Sequence, residues 1–212
     1  MHFYLSSYKL GNEIQKLQEI LPKDGRKTGY VTNAMDFTGV DKERLDAEIQ
    51  TEFAQMTEIG FNVELLDLKD YFGKMSELKA KVDSLGGVFV RGGNTFVLRQ
   101  AMKLSGFDEI ITESISRKDF LYAGYSAGCC VLSPDLDAYS IVDNPTDFPY
   151  LGIEETIWDG LNFIDYYFLP HYDSDHFESA DIDKEIKNCI DNKMLFIAVR
   201  DGEALSFEMN SL

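Results

Sequence analysis

The sequence predicts an α/β fold: a mainly parallel β-sheet with helices on both of its faces. Three observations favour this class. Short, strongly apolar segments alternate along the chain with longer segments whose apolar residues recur every three or four positions. The apolar segments are bounded by glycine and polar residues, which is typical of strands buried on both sides of a parallel sheet. At two places an apolar segment passes through a glycine-containing turn directly into a helix-like segment, as in a βα unit.

Four strands and five helices are predicted between residues 1 and 116. In the helix predicted for 41–59, Leu45, Ile49 and Phe53 recur every four residues and therefore share one face. The strands are predicted at 2–6, 28–32, 62–66 and 87–90, and the helices at 12–21, 41–59, 76–85, 95–104 and 108–116.

The second half of the chain begins with a strand at 120–123 that runs into a glycine-rich turn. Residues 134–160 contain three prolines and seven acidic side chains, so they are predicted to form a long loop or excursion. Because no repeat, low-complexity tract or linker is visible, a single domain over 1–212 is expected. The remaining elements are predicted as strands at 162–169, 194–199 and 204–208 and a helix at 182–191.

Composition narrows the classes of function. With 44% hydrophobic and 27% charged residues, the 212-residue chain has the composition of a soluble globular protein and is long enough to bury a core. Its formal net charge of −17, with no run of lysine or arginine, would repel a phosphate backbone. Nucleic acid is therefore excluded as an expected partner.

The sequence also indicates neither export nor membrane insertion. The first five residues are apolar, but no basic region precedes them and no cleavage site follows. The apolar stretches are too short to span a bilayer. The three cysteines fit no disulfide framework or zinc motif. We therefore expect a cytoplasmic protein, acting as a monomer or a homodimer, that does not bind membranes.

The strongest local motif is the turn at 124–128, with the sequence GYSAG. It joins a predicted strand to small apolar residues that can begin a helix, which is the context of a nucleophile elbow. Small residues on both sides allow the backbone to turn sharply and to present Ser126, while the Ala127 N–H lies at the helix start, where it can stabilise an oxyanion. The alternative is an ordinary βα turn in which Ser126 caps the helix.

A second turn, at Gly92 and Gly93, also joins a predicted strand to a predicted helix. Without side chains, these residues let backbone N–H groups approach a ligand, so Gly92 or Gly93 could supply a second oxyanion donor. The alternative is a tight turn with a cap from Asn94 or Thr95. A phosphate-binding loop is a weaker interpretation, because neither the GxGxxG pattern nor the Walker pattern is present.

Only three histidines are available as a general base. His171 follows an apolar strand, at the strand end where catalytic side chains gather in open α/β sheets, and is favoured over His176; His2 is expected to be incidental. Together with Asp173 and Asp175, these two later histidines could suggest a metal site. Their spacing matches no helical metal motif, so neither a metal nor another cofactor is expected.

The segments at 90–95 (VRGGNT), 123–128 (AGYSAG) and 170–171 (PH) together resemble the peptidase E family of aspartyl dipeptidases and the related cyanophycinases. The resemblance extends over about 28–208. It implies a fold similar to the class I glutamine amidotransferases and a serine hydrolase mechanism. The implied roles are Ser126 as nucleophile, His171 as base, and Gly93 with Ala127 as oxyanion donors.

The resemblance leaves the acid of the triad open. The family's acid lies between the serine and the histidine and is followed two residues later by proline, which both Asp143 and Asp147 satisfy. Some relatives use an acid near the C-terminal end instead, where Asp201 stands. Asp143 is the expected third member, with Asp147 and Asp201 as alternatives.

Two departures from the family pattern bear on the substrate. Arg91 stands where a third glycine is common, and no arginine follows His171 in the acidic stretch 178–185. Because an acidic substrate side chain would lack its usual bidentate partner, activity on Asp-X dipeptides is not expected. The expected function is a serine peptidase acting on short peptides; an esterase or amidase, or a non-catalytic binding module, are the alternatives.

Overall fold

The computed structural model describes residues 1–209, which are organised around a six-stranded sheet. The eight strands are β1 (His2–Ser6), β2 (Thr28–Val31), β3 (Val63–Leu65), β4 (Gly87–Val90), β5 (Leu121–Tyr125), β6 (Tyr167–Leu169), β7 (Phe196–Ala198) and β8 (Ala204–Glu208). The main sheet has the order β3-β2-β4-β5-β1-β8, in which β8 runs antiparallel to β1 and the other pairs are parallel. The predicted mainly parallel α/β fold is confirmed.

The helices lie close to their predicted positions. They are α1 (Ile14–Glu19), α2 (Lys42–Glu58), α3 (Met75–Ser84), α4 (Thr95–Ser105), α5 (Phe107–Glu113), α6 (Ala127–Cys130) and α7 (Ser179–Asp191). Asp41 and Asn94 cap α2 and α4 because each carboxyl or amide oxygen accepts a backbone N–H of the first turn. Gly106, at a φ of 78°, ends α4 and separates it from α5. No helix within residues 1–209 is both long and apolar enough to cross a membrane.

Both faces of the main sheet are buried by helices. Side chains alternate along each strand, so that Phe3 and Leu5 of β1 belong to one apolar cluster while Tyr4 belongs to the other. The larger cluster takes residues from α3, α4, α5 and α7, and the smaller takes residues from α1 and α2. Helices on both sides explain why the strands are continuously apolar rather than alternating with polar residues.

The strand predicted for 162–169 is much shorter than expected. Only Tyr167–Leu169 is extended into a ladder, and it pairs in parallel with β7 in a separate two-stranded sheet. The preceding residues are held elsewhere: the N–H groups of Leu161 and Phe163 donate to Val131 and Leu132, both at 2.8 Å. These bonds tie the chain to the end of α6, so it cannot join the main sheet.

Residues 134–160 form a closed excursion that starts and ends at one point. The Leu136 N–H donates to the Trp158 carbonyl at 2.8 Å, and the Gly160 N–H donates to Pro134 at 3.2 Å. Further along, the Tyr150 hydroxyl donates to the Asp36 carboxylate at 2.6 Å. The excursion is therefore docked on the segment after β2, where it can form one wall of a cavity.

Glu185 of α7 is buried without a hydrogen-bond partner for either carboxylate oxygen in the described part of the chain. Burial, with smaller contributions from Asp143, Glu178 and Asp181, raises its pKa from 4.5 to about 9. This buried carboxyl adds no pH-dependent cost below the unfolded pKa near 4.5, because the folded and the unfolded chain both keep the proton there. Between that pH and about 9 it costs progressively more, because the unfolded chain ionises and the folded chain does not.

We therefore predict that Glu185→Gln stabilises the protein increasingly as pH rises. The gain in the free energy of unfolding should be on the order of 2 kcal/mol at pH 8 and much smaller at pH 5.5. Urea denaturation at both pH values measures it. Asp183→Asn, at an exposed position of the same helix, is the control for the change in net charge. An equal effect at both pH values would contradict the prediction.

Candidate active site

Ser126 lies at a sharp corner between β5 and α6. β5 ends at Tyr125 and α6 begins at Ala127, which leaves Ser126 with a φ of 48° and a ψ of −120°. A positive φ is strained for a residue other than glycine. The corner is this tight because α6 approaches β4: a Cβ on Gly128 would collide with the carbonyl oxygen of Val90. The predicted elbow geometry is present, and Ser126 is partly exposed to a cavity.

The glycine turn after β4 lies directly against this corner. A Cβ added to Gly92 would stand 2.9 Å from the Cβ of Ser126, so a side chain there would displace the serine. Among the described residues, no acceptor takes a hydrogen bond from the backbone N–H of Gly93 or of Ala127. These two N–H groups remain available to a ligand beside Ser126.

The cavity in front of Ser126 has a volume of about 600 Å³, which is large enough for a short peptide. Its floor is formed by the strand ends and the two glycine-containing turns, and the docked excursion contributes Val142, Asp143 and Asn144. Apolar side chains from the segment after β2, from α2 and from the loop before α7 line the rest: Met35, Phe37, Val40, Leu45 and Phe177.

His171 stands at the end of β6 and lines the same cavity. It is buried and has a φ of 61°. Its Nδ1 lies 2.7 Å from the Asp201 Oδ1, and its backbone N–H donates to the Ser7 hydroxyl at 2.8 Å. The Ser7 hydroxyl in turn donates to the same Asp201 oxygen at 2.8 Å. Imidazole and carboxylate are thus held together by the residue that follows β1.

Sequence reasoning did not identify Ser7. Its signal is topological: β1 lies beside β5 in the sheet, and Ser6 is in register with Tyr125, the residue before the elbow. The residue after β1 therefore reaches the same sheet edge as Ser126. Nothing in the local sequence around Ser7 indicates this neighbourhood, because the pairing joins residues far apart along the chain.

The two other candidate acids lie away from the imidazole. Asp143 accepts the backbone N–H of Thr95 at 2.8 Å, at the start of α4, and partial burial raises its pKa to about 6. Asp147 accepts the N–H and the hydroxyl of Thr38 at 2.8 and 2.7 Å, which fixes the excursion in place. Of the three, Asp201 is the carboxylate that contacts His171, whereas Asp143 was the one expected.

Burial lowers the pKa of His171 below its ordinary value, and the charge and hydrogen bond of Asp201 offset this only in part. The imidazole is therefore neutral near pH 7 and can accept a proton. The Ser126 hydroxyl makes no hydrogen bond to another described residue, His171 included. The structure thus brings Ser126 and His171 to one cavity without a hydrogen bond between them.

His176 stacks on His171 with ring centroids 3.7 Å apart and an interplanar angle of 9°. The edge of Tyr8 contacts both rings. Glu178 approaches them from the side, with its Oε2 3.5 Å from His176 Nδ1. Asp173 is not part of this group, because it pairs with Arg200.

Arg91, which stands where the family commonly has glycine, is a buried cation held by α2. Its Nη2 lies 2.6 Å from Glu48 Oε2 and its Nε lies 3.3 Å from Glu52 Oε2. Glu48 also accepts the Nε of Arg44 at 2.8 Å, and Arg44 extends, largely exposed, along the cavity. Sequence reasoning placed Arg91 beside the glycine turn but did not identify Arg44, because α2 lies far from the motif residues along the chain.

The chain is similar in sequence to a family of peptidases. The profile of peptidase family S51 matches residues 9–212. An uncharacterized peptidase of Listeria innocua is 35% identical over 125 residues, which cover 56% of this chain and 57% of that protein. One from Listeria monocytogenes is 33% identical over 57% of this chain and 55% of its own length. The chain thus spans little more than half the length of these curated relatives.

Two crystal structures share the fold. A candidate peptidase E protein of Listeria monocytogenes EGD-e superposes with a TM-score of 0.74 at 25% identity, over 98% of this chain and 94% of that one. A peptidase from an acI-B1 actinobacterium superposes with a TM-score of 0.68 at 16% identity, over 99% of this chain and 84% of the other. The second likeness concerns the fold alone.

The contact between His171 and Asp201 can be tested by titration. We predict that Asp201→Asn lowers the pKa of His171 further, because the carboxylate is the group that favours the protonated ring. NMR of the ring carbon of His171 as a function of pH measures this shift. Asp143→Asn, which removes a carboxylate that does not touch the imidazole, should leave the titration almost unchanged. A larger shift for Asp143→Asn than for Asp201→Asn would contradict the assignment.

Proposed function

The chain belongs to peptidase family S51, and from this premise we propose that it is a serine-type peptidase that hydrolyses short peptides. The observation that carries the proposal is the arrangement at one cavity of Ser126 on a strained elbow, two backbone N–H groups that have no acceptor among the described residues, and an imidazole oriented by a carboxylate. Nucleophilic acyl transfer needs these parts: a presented hydroxyl, a base within reach of it and donors for the developing oxyanion.

In the proposed mechanism, the Nε2 of His171 accepts the proton of the Ser126 hydroxyl as the oxygen attacks the peptide carbonyl. The N–H groups of Gly93 and Ala127 donate to the oxyanion of the tetrahedral intermediate. His171 then gives the proton to the leaving amine, the C–N bond breaks, and water hydrolyses the acyl-enzyme by the same steps. The hydrogen bond between Ser126 and His171 forms in the complex with substrate, as catalytic hydrogen bonds often do.

We assign the third role to Asp201. Its contact with Nδ1 keeps the proton of the neutral imidazole on that nitrogen and leaves the Nε2 lone pair free to act as the base. It also stabilises the imidazolium that forms during the reaction. Asp143 lines the cavity but does not orient the imidazole, because its carboxylate accepts the backbone N–H of Thr95 at the start of α4.

The charges around the cavity support a free dipeptide or another short peptide as substrate. Asp143 and Glu178 line the cavity without a lysine or arginine partner among the described residues, and burial raises their pKa values to about 6 and about 7. A substrate α-ammonium would supply the missing positive charge. Arg44, which extends along the cavity from α2, is placed to bind the α-carboxylate.

The first test is the nucleophile. Ser126→Ala should abolish hydrolysis of a dipeptide panel, to about 10⁻³ of the wild-type kcat or less, because the covalent route is lost. Its melting temperature should not fall. Ser140→Ala, at an exposed serine of the excursion, is purified in the same way and should retain full activity, which shows that the loss is specific to Ser126. Wild-type turnover by the Ser126→Ala protein would refute the mechanism.

The second test is recognition of the α-ammonium. We predict that the wild type hydrolyses a free dipeptide with a kcat/KM at least about tenfold higher than that of its N-acetyl derivative, because acetylation removes the charge. The double variant Asp143→Asn/Glu178→Gln should reduce this preference. Asp175→Asn, which removes an exposed carboxylate outside the cavity, should not. If the double variant kept the full preference for the free dipeptide over its N-acetyl derivative, the two carboxylates would not be the groups that bind the ammonium.

A further inference from the structure

Three potential metal ligands meet in one corner of the cavity. One ring nitrogen from each of His171 and His176 and one carboxylate oxygen of Glu178 lie within 4.8 Å of one another. Glu178 Oε2 is 3.5 Å from His176 Nδ1 and 3.9 Å from His171 Nε2. Two imidazoles and one carboxylate are the protein ligands of one common class of zinc site, whose fourth position is left to water.

The hydrogen bonds already present leave the required lone pairs free. Because the Nδ1 of His171 is bonded to Asp201, the lone pair of the neutral ring lies on Nε2, which faces Glu178. A carboxylate on the far nitrogen is the usual support of a zinc-bound histidine. The Nδ1 of His176 accepts only a long bond of 3.4 Å from the Glu178 N–H, so it too carries a lone pair.

The corner also lacks a competing cation. In the described part of the chain, the ion-pair partners of Glu178 are the two imidazoles, and no lysine or arginine contacts it. The nearby arginines of the cavity are engaged by Glu48 and Glu52 of α2. A divalent ion would therefore meet the Glu178 carboxylate and two neutral nitrogens without displacing a lysine or an arginine.

We propose that His171, His176 and Glu178 bind a zinc ion, and that this ion inhibits the peptidase by occupying the Nε2 that must take the serine proton. Only the inhibition rests on the proposed function; the binding does not. Since the two rings are stacked with an interplanar angle of 9°, their lone pairs lie in two nearly parallel planes and do not converge on one ion. Zinc binding therefore requires the half-buried ring of His176 to turn out of the stack, which moves it away from the edge of Tyr8.

The experiment measures binding and inhibition separately. Zinc is titrated into the full chain by calorimetry, with magnesium as the comparison, because a hard cation prefers oxygen ligands. The same zinc concentrations are then added to the dipeptidase assay. His176→Phe keeps an aromatic ring against His171 but removes the ligand, Glu178→Gln removes the carboxylate, and His2→Gln removes a histidine distant from the site.

We expect one zinc ion per wild-type chain, no magnesium at that site, and zinc affinity at least about tenfold weaker in His176→Phe and Glu178→Gln but unchanged in His2→Gln. Residual activity of His176→Phe should resist zinc. Zinc binding that is absent in the wild type, or equal in all four proteins, would overturn the site. Zinc binding as expected in a chain without peptidase activity would sustain the site and refute the proposed function instead.

Discussion

The corner between β5 and α6 forms because several backbone segments meet there without side chains between them. The carbonyl oxygen of Val90 occupies the space that a Cβ on Gly128 would need, and Gly92 packs directly against Ser126. This crowding keeps Ser126 at a positive φ, which costs about 1–3 kcal/mol for a residue other than glycine. The buried strands on either side offset that cost. The orientation of the hydroxyl and the two unbonded N–H groups beside it therefore follow from one packing constraint.

The imidazole depends on a second set of contacts, which join the ends of elements far apart in the sequence. Ser7 follows β1, His171 follows β6, and Asp201 lies between β7 and β8. The Ser7 hydroxyl nevertheless accepts the His171 N–H and donates to Asp201 Oδ1, both at 2.8 Å, and the same Oδ1 lies 2.7 Å from His171 Nδ1. Since Ser7 and His171 are buried, these bonds act with little screening by water. The main sheet, through the end of β1, thus fixes the imidazole, although His171 itself follows β6 of the smaller sheet.

Local sequence patterns predicted most of the fold and, within the candidate site, the two turns that contain Ser126 and Gly92. The strand and helix positions, the elbow at Ser126 and the glycine turn at Gly92 are encoded by neighbouring residues, so they could be found from periodicity and spacing. The short β6 could not, because its length is set by hydrogen bonds from the preceding residues to the end of α6. The role of Asp201 could not be predicted either, because its contact with His171 depends on tertiary packing. Asp143 has the family's spacing to a following proline, but its carboxylate accepts the Thr95 N–H instead of contacting the imidazole.

The acidic residues around the cavity influence the protonation of one another and of the neighbouring histidines. Burial and mutual repulsion raise the pKa of Glu178, with Asp143 among the causes, while burial and the neighbouring imidazole lower the pKa of His176 to about 4. The cavity thus has carboxylates that partly hold their protons near pH 7 and an imidazole that stays neutral. A bound cation reverses the balance for the carboxylates, because it favours their ionised form. If both proposals hold, a substrate ammonium and a zinc ion would be attracted by the same uncompensated negative charge of Asp143 and Glu178, and the two ligands would compete even though their contacts differ.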